Sequence, residues 1–311
     1  MNRKDVRSRT GGRRFRILLA AALFVPVMIL VIALVSGRRS EVQIPPYLLR
    51  NETPAIIKAA ALGEESRVRA LLDSGTDVNL VDEFGGTALH AAAVTGREGL
   101  VRLLLERGGL VDAADNDGRT PLYIAVDLVH PGLVRLLLDS GASPVRQIGS
   151  GSSPASHAVV RGDLSILGMI LQKTDARRVQ DSDGSGLVHI AALWGREDIV
   201  QMLLERGLAV DSTNTWGLTP LHLACENRHV FAARTLLGRQ AAPGARDGGG
   251  RTALHWAVIG GHPVVVSLLL EAGAEMVQDK EGNTPLDIAR RRPRVIIERL
   301  LEGYSPAKRG K

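Results

Sequence analysis

The sequence predicts an all-α fold: a solenoid of helix-turn-helix repeats joined by β-turn or hairpin loops, preceded by one transmembrane helix. Three observations predict it. A step of 33 residues from Thr219 lands on Gly186, Ser153, Thr120, Thr87 and Pro54 going back and on Thr252 going forward, and Thr284 stands one residue short of the next step. A fixed period of this length is the signature of stacked supersecondary units. Aromatic residues are only 3% of the chain while hydrophobics reach 45%, a balance that suits helices better than sheets. The third observation is an uncharged apolar run of 19 residues, Ile17 to Val35, before the first repeat.

Each part of the repeat has a physical reason. The anchors head TPLH at Thr219, TALH at Thr87 and Thr252, TPLY at Thr120, TPLD at Thr284, GLVH at Gly186 and SPAS at Ser153. Thr caps a helix through its hydroxyl, and Pro fits the first turn, where its missing N–H is not needed. Glycine stands two residues before the last seven anchors, from Gly85 to Gly282, and Asp or Asn stands five before six of them, Ile148 being the exception. Asp bonds its own backbone and Gly tolerates positive φ, so both suit a tight turn. Apolar residues such as Leu89, Ala92, Val101, Leu104 and Leu105 then recur at helical spacing, giving two short amphipathic helices per repeat. This pattern resembles the ankyrin repeat and covers about Pro54 to Gly303 in eight copies. One copy cannot bury its apolar face alone; stacked neighbours can.

Taken in order, residues 1–16 read as a basic cytoplasmic tail. Seven Lys and Arg residues there against Asp5 carry the whole net charge of +6, so the rest of the chain is neutral and the high charge is no argument for nucleic acid, which needs a basic face on the folded domain. Residues 17–36 read as the transmembrane helix, since the run spans about 28 Å as a helix at 1.5 Å per residue. Pro26 is tolerated in such a helix. A signal peptide cleaved near Val35-Ser36-Gly37 is the competing reading, with the apolar run longer than usual for one. Basic residues are denser before the run than after it, which keeps the N-terminus in the cytoplasm and puts the repeats across the membrane. Arg, Ala and Gly richness points to a bacterium, hence to an inner-membrane protein with its repeats in the periplasm. Residues 37–53 form a linker in which Pro45-Pro46 favours an extended, semi-rigid piece.

The repeat domain is expected over residues 54–303. Its first copy has Ile57 where His is usual and reads as a cap; the second and third are close to the pattern. The fourth is the weakest, having lost the turn Asp and carrying Ala155 and Ser156 where Leu and His are usual. Copies five to seven restore the pattern, and the last, with Asp287 in place of His, leads into a basic cap and a basic tail over 304–311.

No residue pattern here points to catalysis, and no cofactor or metal site is expected. His90, His189, His222 and His255 share one repeat position, so stacking separates them by roughly 10 Å each, too far for one metal. The resemblance implies instead a structural hydrogen bond between turn and neighbouring repeat. Cys225, the single cysteine, occupies a small-residue slot filled by Ala192 one copy earlier and reads as buried packing. Asp115 to Gly118 and Asp181 to Gly184 echo a calcium loop without its closing bidentate Glu.

What remains is recognition. The resemblance implies protein binding on the concave side, through turn tips and the exposed ends of first helices, with no small-molecule substrate and no nucleic acid. Transferred to this chain, it selects Phe84, Asn116, Asp117, Arg161, Leu193, Trp194, Thr215, Trp216, Glu226 and Asn227 as partner-binding residues. The expected function is a membrane-anchored, non-catalytic scaffold. The alternatives are a signal-cleaved soluble periplasmic factor assisting an enzyme and a cytoplasm-facing signalling adaptor.

Overall fold

The computed structural model describes residues 44–291 and 294–304. The basic tail 1–16, the apolar run Ile17 to Val35 and residues 305–311 lie outside them. Among the described residues no helix is long and apolar enough to cross a membrane. Sixteen α-helices occur among them and no strand, only an isolated antiparallel bridge between Gln180 and Gly186. The end of the expected linker is not extended: Pro46–Leu49 is a 3-10 helix, and Leu48 and Thr53 are buried. Lys58 Nζ donates to the Asn51 carbonyl at 3.1 Å, which ties this turn to the first α-helix.

The helices come in eight consecutive pairs. The first members are α1 (Ala55–Leu62), α3 (Ala88–Val94), α5 (Pro121–Asp127), α7 (Pro154–Arg161), α9 (Leu187–Leu193), α11 (Pro220–Glu226), α13 (Ala253–Gly260) and α15 (Pro285–Arg291). Their partners are α2 (Glu65–Asp73), α4 (Glu98–Glu106), α6 (Pro131–Asp139), α8 (Leu164–Lys173), α10 (Glu197–Glu205), α12 (Val230–Gly238), α14 (Pro263–Glu271) and α16 (Val295–Glu302). Each first helix packs on its own partner and on the first helices before and after it.

One alanine register makes that packing possible. Ala59, Ala92, Ala125, Ala158, Ala191, Ala224, Ala257 and Ala289 occupy equivalent places in the eight first helices, and all are fully buried. A methyl group lets neighbouring helices approach closely, while flanking residues such as Leu89, Leu122 and Leu254 fill the space on either side. Second helices contribute Leu104, Leu137, Ile170, Leu203, Leu236, Leu269 and Leu301 at one register, each with little or no exposure. Cys225 sits in this core at 0% exposure, and burial pushes its thiol up, out of reach of ordinary redox chemistry.

Turns and caps follow the expected chemistry. Asp82 Oδ1 accepts from the backbone N–H groups of Phe84 and Gly86 at 2.9 and 2.8 Å, and Asp115, Asn214, Asp247 and Asp279 do the same in their turns. The glycine two residues before each anchor has positive φ; a Cβ on Gly217 would come within 2.9 Å of the Gly248 nitrogen. At Thr87, Thr219 and Thr252 the backbone N–H donates to Nδ1 of the histidine three residues on, at 3.0–3.1 Å.

These donors settle the tautomer. Nδ1 must accept, so Nε2 carries the proton and donates to a carbonyl of the next repeat: His90 to Arg119 at 3.0 Å, His222 to Arg251 at 3.1 Å and His255 to Asn283 at 3.2 Å. His189 reaches the Leu218 carbonyl at 3.0 Å in the same way. At His90, His222 and His255 only the neutral ring fits, and burial lowers the pKa of all four rings below the ordinary 6.5. The stability these rings contribute is therefore present above about pH 6.5 and is lost as pH falls from there through their folded values. In the last repeat, Asp287 replaces His and turns back on its own helix, accepting from Thr284 N–H at 2.8 Å.

His189 is the incomplete case. Gly186 supplies no hydroxyl, and His189 Nδ1 is buried without a hydrogen-bond partner. Gly186 has φ −79° and ψ 176°, close to the threonine caps, and a Cβ there would meet nothing nearer than the Val179 carbonyl oxygen at 3.8 Å. Gly186→Thr is expected to stabilise the fold by about 1 kcal/mol, the worth of one cap or one net hydrogen bond. Thermal unfolding checks it; an unchanged or lower Tm would show that the orphaned nitrogen costs nothing.

Candidate recognition surface

The turn tips are held in a row by their own backbones. Asn116 N–H donates to the Phe84 carbonyl at 2.9 Å, Gly149 to Asp117 at 3.2 Å, Thr215 to Asp183 at 3.0 Å, Gly248 to Trp216 at 2.8 Å and Lys280 to Gly249 at 2.9 Å. Side chains add to it: Asn116 Nδ2 donates to the Glu83 carbonyl at 3.1 Å, and Thr215 Oγ1 to the Asp183 carbonyl at 2.8 Å. Each of these five tips is thereby positioned by the repeat before it.

On this row Asn116, Asp117 and Thr215 are exposed, as are Phe84 and Trp216. Trp216 is 46% exposed, so about half of the residue is covered and half is open to solvent. Its backbone is fixed on both sides, since N–H donates to Asn214 Oδ1 and the carbonyl accepts from Gly248. The residues chosen at the ends of first helices are more enclosed. Asn227 is exposed with Nδ2 bonded to the Leu223 carbonyl at 2.9 Å, whereas Arg161, Leu193, Trp194 and Glu226 are half-buried. Leu193 and Trp194 close α9, with the Leu193 carbonyl accepting from His229 Nε2 at 3.0 Å. The third tryptophan, Trp256, is tied down: its Nε1 donates to Asp247 Oδ2 at 2.9 Å, and Arg251 lies over its ring at 5.9 Å.

The row has one gap among the described residues, between Ser150 and Ser182. The same joint lacks the histidine bond, because Ser156 spends its hydroxyl on the cap of its own helix with Ser153 and no ring reaches a carbonyl of the next turn. At the preceding joint, between repeats three and four, stands a polar cluster that the sequence reading did not single out. Tyr123 stacks on His157 with ring centroids 4.6 Å apart; its hydroxyl meets His157 Nδ1 at 3.1 Å, and His157 Nε2 donates to Asp127 Oδ1 at 2.8 Å. Burial, with the Asp127 charge, pushes the Tyr123 hydroxyl up to about 12. Burial is the largest influence and opposes ionisation of Asp127, but the bond to His157 together with the charges of His157, Arg161 and Arg119 outweighs it and holds the carboxyl below the usual range. Two local signals could have found this cluster: Tyr123 in the histidine register, and His157 one place beyond the Ser156 that replaces it.

Asp181 completes the departure. Among the turn acids it is the one that does not clamp its own turn; there Asp183 Oδ1 takes Ser185 N–H instead, at 2.9 Å. Asp181 faces Ser156, Oδ1 is buried without a partner, and burial raises its pKa to about 7.

Chemically the surface is one of carbonyls, amides and a half-open indole. Among the described residues no group of His, Cys, Asp and Glu could hold a metal ion. The family profile for ankyrin repeats in three copies matches residues 56–148, 155–247 and 239–309. The chain belongs to the ankyrin repeat family. Ankyrin repeats are in general non-enzymatic modules that bind protein partners. Among solved structures the chain is similar to the human ASB11 ankyrin repeat domain at 29% identity, covering 70% of this chain and 97% of that one with a TM-score of 0.60. No curated protein sequence matches it.

The Asp181 carboxyl gives this ankyrin domain a testable weak point. Its folded value is raised, so it costs nothing below the ordinary 3.8 and an increasing amount as pH rises toward about 7. Asp181→Asn is expected to raise the Tm at pH 8 by a few degrees, about 2–4 °C per kcal/mol for a domain of this size, and to leave it unchanged at pH 4. A lower Tm at pH 8 would show that the ionised carboxylate holds the joint.

Proposed function

We propose that the chain is a membrane-anchored ankyrin repeat scaffold that binds a protein partner through Phe84, Asn116, Asp117, Arg161, Leu193, Trp194, Thr215, Trp216, Glu226 and Asn227 on its concave side. The observation that carries the site is Trp216, a large aromatic left 46% exposed on a turn fixed by both neighbours. Tryptophan dominates binding hot spots, and a rigid platform lowers the ordering cost of association. Thr215 and Asn227 supply a polar rim around it. Anchoring is supported by the uncharged run Ile17 to Val35, and the denser positive charge ahead of it supports an inner-membrane protein with periplasmic repeats.

Trp216→Ala is expected to weaken the partner complex by at least about 2 kcal/mol, the usual hot-spot threshold, with little change in Tm. Isothermal titration with the captured partner checks the first and calorimetry the second; intact binding with a large fall in Tm would make Trp216 a packing residue. For the anchor, the full chain is expected to stay with membranes through a carbonate wash. A soluble product beginning near Arg38 would instead indicate the signal-cleaved factor.

A further inference from the structure

The second helices of the last three repeats carry an apolar stripe that the recognition surface does not use. The second residue of each second helix is Ser66, Gly99, Gly132, Ser165 and Asp198 in repeats one to five, and Phe231, Val264 and Ile296 in repeats six to eight. These three are 66%, 53% and 66% exposed, and Val295 beside the last is 55% exposed. Because α12, α14 and α16 are consecutive and in contact, the three side chains form one line.

Within these three helices the exposed charges beside the line are basic, and the acidic side chains Glu197 and Asp198 of α10 mark its repeat-five end, Thr235 of α12 donating to Glu197 at 3.3 Å. Arg234 and Arg299 stand one helical turn beyond Phe231 and Ile296 and are exposed, as is Arg228 in the turn before α12, whose Nε donates to the Gly260 carbonyl at 2.8 Å. On the three helices themselves carboxylates stand away from it: α12 has none, Glu271 is the last residue of α14, and on α16 Glu298 and Glu302 both pair with Arg290. A second copy of the chain would set arginine against arginine, which like-charge repulsion opposes. An anionic lipid interface satisfies both features at once, taking the apolar side chains below the headgroups while guanidiniums reach phosphate.

We infer that this edge of repeats six to eight lies against an anionic membrane surface. The choice of lipid over an acidic protein rests on the reading that the chain is held at a bilayer; the stripe and its charges stand without it.

The test uses the full chain with Val264→Cys carrying a fluorescent label, native Cys225 being too buried to react, reconstituted into vesicles containing doxyl-labelled lipid. Strong quenching is expected with phosphatidylglycerol present, weak quenching in phosphatidylcholine alone, and reversal by salt. The same label at Ser66→Cys is expected to stay unquenched. Arg234→Gln and Arg299→Gln should each weaken the association about fivefold, with Tm measured to confirm folding. Equal quenching at positions 264 and 66, indifference to lipid charge, disulfide dimers of Val264→Cys, or capture of an acidic protein with no lipid effect would each overturn the inference. Quenching at position 264 in a chain that carbonate extracts would keep it and refute the anchor alone.

Discussion

The close approach of consecutive first helices is the contact on which everything else in this domain depends. It is set by one buried alanine per repeat, from Ala59 to Ala289, and it lets a unit of two short helices bury a face that it could not bury alone. A side chain larger by even one methylene at these places meets a packed wall, and the strain would pass to the next layer. The larger residues of the core, such as Leu104 and Leu137, fill space that the seam defines.

Polar links then give the stack its register. The neutral imidazole joins its own helix cap to a carbonyl in the next turn, so one side chain ties cap, helix and neighbour together. Hydrophobic contact alone is non-directional, whereas a buried donor and acceptor that must meet exclude slipped arrangements. Between repeats four and five both the imidazole link and the tip-to-tip backbone bond are missing. Packing is retained there, along with the bonds from Arg196 to the Val160 carbonyl and from Gln147 to the Gln180 carbonyl, and the cluster around His157 ties repeat three to repeat four. That joint differs in kind from the others.

Because the repeat spends its apolar residues on the seam and its carbonyls on the links, what is left outside is free to vary. The tips differ from copy to copy, with Phe84, Asn116, Ser182, Thr215 and Gly248 in equivalent or adjacent turn positions. The second-helix edge varies as well, polar or small in the first five repeats and apolar in the last three. A solenoid presents such differences as lines along its length, which is how a regular core can carry more than one surface.

The solenoid, its helix boundaries near the TPLH anchors and the buried role of the histidines were legible in the sequence, because each depends on residues close together in the chain and repeated at a fixed period. Thr caps, positive-φ glycines and turn acids act within five residues, so their chemistry needs no knowledge of the fold. The linker expectation failed at Pro46–Leu49 for the complementary reason: whether that turn is free or folded depends on what Leu48 packs against, which the local sequence does not state. The same holds for the helix-end residues Arg161, Leu193, Trp194 and Glu226, whose half-burial is set by neighbouring layers. The inward turn of Asp181 follows from the small Ser156 one repeat earlier. The sequence by itself determined the repeat; only the stacked structure decided which polar groups found partners, because those partners lie about one repeat away and burial exists only once the layers meet.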